Sequence, residues 1–169
     1  MDRVPGAYEA PLFSAGQPQS ERGFLIHPGY WPHAEPAFPS VLDILTRHGV
    51  DPGAARTRHG LVVGADLTAD QLAAVRADRQ VEYVERDCVG GVARYQRVPA
   101  SARVVGQYSV AVADDCDLGA LLARLDGTLL HAYDEIHTFA ARLTDRQRDL
   151  LRRDPEVFSV GDDQWDSAD

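Results

Sequence analysis

The stretch LTADQLAAVRADRQVEYVERD at Leu67–Asp87 returns without a gap as LTDRQRDLLRRDPEVFSVGDD at Leu143–Asp163. Leu67, Thr68, Gln71, Arg76, Asp78, Val81, Val84 and Asp87 recur as Leu143, Thr144, Gln147, Arg152, Asp154, Val157, Val160 and Asp163, all at the offset of 76 residues that carries Leu67 to Leu143. Two unrelated amphipathic helices would share apolar positions but not the flanking polar ones. The stretch is an internal repeat. A chain of 169 residues has room for one medium domain or two small ones, and the repeat selects two.

Thr68 and Gln71 have the T-x-x-Q spacing of a capping box, in which the hydroxyl accepts from the third helical amide and the Gln reaches back. Thr144 and Gln147 repeat it. Each box opens a helix of about ten residues, with Leu72 and Val75 as the buried face in one copy and Leu150 and Leu151 in the other. A β-branched strand follows each, VEYVE or VFSV. Upstream in the first copy, GFLIH reads as a strand, SVLDILTRHG as a helix capped by Ser40 and stopped at Gly49, and TRHGLVVGAD as strand-like. In the second copy RVVGQYSVAVAD is a strand, DLGALLARLDG a helix, and TLLHAYDEIHTFAARL a hairpin.

Each half thus runs strand–helix–strand–strand–helix–strand. With right-handed crossovers this closes into an antiparallel sheet of four strands covered by two helices, so the expected class is α+β with two tandem ferredoxin-like (βαββαβ) units. The expected cores are Leu72, Val75, Val81 and Val84 in one half and Leu150, Leu151, Val157 and Val160 in the other. The expected boundaries are a Pro-punctuated irregular arm over 1–20, the first repeat over 21–87, a linker over 88–102, and the second repeat with an acidic tail over 103–169. Helices on one face leave the other to water, to a partner or to the sister sheet. Function is expected there.

A net charge of −9, with every one of the 17 basic residues an Arg, argues against a phosphate-backbone partner. No apolar run approaches the roughly 20 residues of a membrane span, and the first residues lack the basic-then-apolar order of a secretory signal. Cys88 and Cys116 occupy different places in the two copies, which suits free thiols and a cytoplasmic protein.

The segment HPGYWPH, with His27, Tyr30, Trp31 and His33, has no counterpart in the second copy. It is either a binding loop or a loop packed down by Trp31. His131 and His137 flank Tyr133, Asp134 and Glu135 at the second hairpin, an arrangement open to general acid–base work or to plain solvation. No metal-ligand spacing, phosphate loop or nucleophile elbow is present, and no cofactor is expected.

The stretch TFAARLTDRQRDLLRRDPEVFSVGDD resembles the subtilisin propeptides, the peptidase-inhibitor type of propeptide. Phe139, Ala140, Ala141, Leu143, Pro155, Glu156, Val157 and Val160 fit the pattern of hairpin, helix and last strand. In the first copy Leu67, Val81, Tyr83, Val84, Glu85 and Asp87 fit it, and QYSVAVADD resembles the opening strand. The likeness implies an open sheet face docked on two surface helices of a subtilisin-like protease. Acids of the last strand would then lie near the helix N-termini, where unpaired N–H groups favour carboxylates, and the tail would add as a strand in the cleft. The matching acids are Glu85 and Asp87 in one copy; in the other, Gly161 replaces the Glu and Asp163 remains.

Three functions are open on this reading. The first is a stand-alone inhibitor or folding chaperone of a subtilisin-like serine protease, with Glu85, Asp87, Asp163, Tyr30 and Trp31 at the partner surface. The second is a non-catalytic peptide-binding protein of a biosynthetic pathway. The third is an enzyme acting on a peptide or small molecule, with His27, His33, His137 and Tyr133 in a pocket between the two sheets.

Overall fold

The structure, a computed structural model, describes residues 7–29 and 39–164. The chain divides into two compact units, Met1–Val89 and Gly90–Asp169. The first contains β1 (Leu12–Ser14), β2 (Gln19–Pro28), α1 (Val41–Arg47), β3 (Ala55–Arg58), β4 (Leu61–Asp66), α2 (Ala69–Ala77) and β5 (Val81–Cys88). The second contains β6 (Arg94–Gln96), β7 (Arg103–Val112), α3 (Leu118–Leu125), β8 (Thr128–Tyr133), β9 (Thr138–Arg142), α4 (Asp145–Leu151) and β10 (Val157–Gln164). The two sheets have orders β1-β5-β2-β4-β3 and β6-β10-β7-β9-β8, which are the same order element for element. Each is a ferredoxin-like unit of mixed α and β structure.

In each unit both helices pack on one sheet face. Phe24, Ile26, Val81 and Val84 meet Ile44, Leu45 and Val75 in the first core. Val110, Phe139, Val157 and Val160 meet Leu121, Leu122 and Leu151 in the second. Full burial of one such side chain is worth about 1.5–3 kcal/mol. Among the described residues, no helix is long and apolar enough to cross a membrane.

The recurring polar residues each hold a joint of this scaffold. Thr68 and Thr144 accept from the amides of Gln71 and Gln147, and both Gln side chains accept from the Thr amides. Such a cap contributes about 1 kcal/mol. Asp78 and Asp154 close the turn from helix to last strand, accepting from the amides of Gln80 and Glu156. Each also pairs with the last-turn Arg of its unit's first helix, Arg47 at 2.7 Å and Arg124 at 3.0 Å. The Arg76 Nε–H donates to the carbonyl of Ala10, and Arg152 donates in the same way to Ala93. The Ala10 and Ala93 amides return a bond to the carbonyls of Arg76 and Arg152. These Arg residues recur because each fastens the chain just ahead of β1 or β6.

Those two short strands add a fifth, parallel member to each sheet, on the outer edge of the unit's last strand. They fall in the segments read from sequence as an irregular arm and a linker. Three residues between Pro and Gly breakers carry too little alternation to announce a strand. The stretch TRHGLVVGAD is a hairpin rather than one strand, because His59 and Gly60 both take positive φ (51° and 76°) and turn β3 into β4. Leu150, expected in the second core, is 45% exposed. It lies one position short of the buried stripe, since Leu151 is the counterpart of Val75 and Leu150 that of the exposed Ala74. Leu72 is half-buried at the margin of the first core.

Candidate functional site

Alternation along the strands leaves the second face of each sheet to a different set of residues. In the first unit Leu25 pairs across to Glu85 on one side and Gly64 on the other, and His27 pairs with Tyr83. Gly64 is required there: a Cβ would lie 1.8 Å from the Phe24 carbonyl oxygen. His27 is 3% exposed, and its Nε2 lies 2.9 Å from Oε1 of the fully buried Glu85. Its ring stacks on Tyr83 at 4.1 Å, and Phe13 of β1 meets Tyr83 edge-on at 5.8 Å. Asp87, 2% exposed, pairs with Arg56 at 3.0 Å, and Arg56 also reaches Asp66 at 2.8 Å. The face is a buried polar network in which each acid has a partner in place. Glu85 and Asp87, the expected partner-facing acids of this copy, sit inside it.

The centre of the same face in the second unit is built of small side chains, with His131 and Tyr133 of β8 beside Ala140 and Thr138 at its margin. Ser109 pairs with Gly161 on one side and Ala140 on the other; Ala111 pairs with Ser159 and Thr138. No side chain at these six positions is larger than Thr. Asp163, two residues beyond Gly161 on β10, is half-buried, and its Oδ1 accepts from the amide of Gln164. The six central positions carry no charge, and Arg142 and Asp163 supply it at the margin.

A pocket of about 250 Å³ opens at the hairpin end of the second unit, lined by Val112, Leu118, Cys116, Asp114, Tyr133, Asp134 and His137 among others. His137 sits in the left-handed region (φ 49°) at the entry to β9, with Nε2 3.4 Å from Asp114 Oδ1. Burial, then the neighbouring Glu156 carboxylate 3.6 Å away, push the Cys116 thiol up to about 11. It therefore stays protonated at neutral pH and is no ready nucleophile. Among the described residues, no group of three or more His, Cys, Asp or Glu is placed to hold a metal ion.

Of the residues singled out from sequence, Tyr133 and His137 come together in this pocket. His27 belongs to the first unit and pairs with Glu85. Tyr30, Trp31 and His33 lie outside the described residues. One cluster has no forerunner in the sequence reading. The Tyr95 hydroxyl donates to Asp162, while the guanidinium groups of Arg97, Arg148 and Arg152 lie 4.8, 4.9 and 5.3 Å from the Tyr95 ring centre. Burial and the Asp162 carboxylate raise the Tyr95 hydroxyl pKa well above its ordinary value. This cluster packs on the core side and anchors β6. Arg152 alone among its members was marked by the repeat.

No curated protein sequence matches this one. Among solved structures the chain is similar to fervidolysin from Fervidobacterium pennivorans, a keratinolytic enzyme related to subtilisin, at 11% identity and a TM-score of 0.37. That likeness covers 45% of this chain and 12% of the enzyme. Residues 114–165, from just before α3 to the end of β10, match the family model of peptidase inhibitor I9, the subtilisin propeptide type.

Proposed function

We propose that the second unit is a propeptide-like module that acts as an inhibitor or folding chaperone of a subtilisin-like serine protease. The observation that carries this reading is the family match over residues 114–165, because that span supplies β9 and β10 of the small-residue face. A face of Ser, Ala, Gly and Thr lets two helices of a partner approach closely, as bulky side chains would not. Asp163 shares that face and is the acid assigned to a partner helix N-terminus. The first unit is assigned the same ancestry, on its identical element order, capping box, Asp clamp and Arg fastening. Its Glu85 and Asp87 are held by His27 and Arg56, so its face is assigned a supporting part.

Titration of the purified chain against a panel of subtilisin-like proteases tests the reading. Peptide hydrolysis should slow at micromolar concentration or below, or refolding of the denatured protease should accelerate. Ala140→Arg, which raises a long charged side chain from the middle of the grid, should abolish the effect while the melting transition persists. A folded chain that neither inhibits nor assists any member of the panel would overturn it.

A further inference from the structure

The two sheets end on equivalent outer strands, β3 and β8, and these differ in how they meet solvent. An outermost strand presents a row of unpaired N–H and C=O groups, and proteins usually blunt it with charge or brevity. β3 does both: it has four residues, ARTR, and two are Arg. β8 does neither. Its six residues, TLLHAY, carry no Asp, Glu or Arg, and every one except Ala132 is exposed. Leu129, Leu130 and Tyr133 are 45%, 39% and 48% exposed. Among the described residues its one neighbour in the sheet is β9.

The 250 Å³ pocket begins where β8 stops, with Tyr133 and Asp134 in its wall. Val112 and Leu118 give it apolar surface, and Asp114 and Asp134 give it carboxylates. Lys is absent from the chain, and among the described residues no Arg lines the pocket. Its size suits one side chain, and its two carboxylates, set against the one imidazole of His137, suit a cation. The pocket lies on the β9 side of β8, so a segment added parallel along the free edge would bring its C-terminal residue about one strand spacing, roughly 4.8 Å, from Tyr133, within reach of a long side chain.

We propose that the β8 edge and the pocket at its end bind an extended peptide segment, with apolar residues along Leu129 and Leu130 and a Lys or Arg side chain in the pocket. This surface is a sheet edge that meets the face assigned to a protease at Thr138, which lines the pocket, but the proposal does not rest on that assignment.

Fluorescence anisotropy with the full chain tests it, using three fluorescein-labelled peptides of alternating Val and Thr: one ending in Arg, one ending in Glu, and one Arg peptide interrupted by Pro. The Arg peptide should bind saturably and about tenfold or more tightly than the Glu peptide, and the Pro-interrupted peptide should fail. Asp114→Asn with Asp134→Asn should erase the Arg preference while leaving residual binding. Leu130→Arg, which guards β8 as Arg guards β3, should abolish binding with the circular-dichroism melt retained. Equal binding of all three peptides, or binding indifferent to Leu130→Arg, would overturn the proposal. So would concentration-dependent self-association that Leu130→Arg removes, since the edge would then belong to a second copy.

Discussion

Leu25, His27, Gly64, Tyr83 and Glu85 stand in the first sheet where Ser109, Ala111, Ala140, Ser159 and Gly161 stand in the second. Behind both faces the scaffold is the same, down to the capping Thr, the clamping Asp and the fastening Arg. One face is a set of interlocked polar and aromatic groups and the other is, at its centre, a grid of small side chains. The recurring residues therefore describe how the unit is built, and the face residues, free of that duty, are where the two units part.

The largest expected contrast is between the paired positions Glu85 and Gly161. Glu85→Ala leaves His27 buried without its carboxylate and should destabilise the first unit by about 3–5 kcal/mol. Gly161→Ala adds a Cβ whose nearest neighbour is 3.5 Å away, an ordinary contact. It should shift stability by less than about 0.5 kcal/mol. Urea denaturation of the two variants reads the difference; equal losses would erase the distinction between the faces.

The next contrast is between the two fastening residues. Arg152 is 1% exposed beneath Tyr95, whereas the Arg76 side chain is 22% exposed and pairs with the largely exposed Glu9. Arg152→Ala should cost about 1.5–3 kcal/mol, the range for a hydrogen bond from a charged donor. Arg76→Ala should cost clearly less. Amide exchange in β6 should accelerate more in the first variant than exchange in β1 does in the second.

The smallest effect concerns Asp78. Burial alone would raise its pKa, but the Gln80 amide, His48 and Arg47 together outweigh burial and hold it below the usual carboxylate range. A group with a lowered folded-state pKa stabilises above its unfolded pKa and loses that contribution as pH falls through the folded value. Asp78→Asn should therefore lower Tm near neutrality and converge on the parent in acid. The clamp is partly open to water, so its contribution is about 1 kcal/mol or less. A Tm gap that widens in acid would contradict the sign.

The joints of the scaffold were legible because each is a polar residue at a fixed spacing from its neighbours in both halves: Thr68 with Gln71, Asp78 before Val81, Arg76 before both. The contrast between the faces was hidden by a shift of frame. Residues 29–40 join β2 to α1 in the first unit, where 113–117 suffice between β7 and α3. An alignment anchored on the last strands thus never sets Leu25 beside Ser109. β1 and β6 were hidden by brevity, and Leu150 was misplaced because adjacent leucines leave the helical phase undecided until Arg152 and Val75 fix it. Nothing in the residues singled out by type pointed to Tyr95 and Asp162, which are 67 positions apart.

The parallel fifth strand has a consequence for how the chain comes into being. β6 opens the second unit and pairs with β10, which closes it, with Tyr95 beside Val160. Synthesis delivers the first of these long before the second, so β6 must wait, unpaired, until nearly the whole unit has left the ribosome. The first unit repeats the delay, with Leu12 waiting for Val84. Contacts of such sequence separation are assembled late and slowly. Each unit is thus completed by the meeting of its two ends, and a nascent chain halted before β5 or β10 carries an unzipped sheet however well its helices have formed.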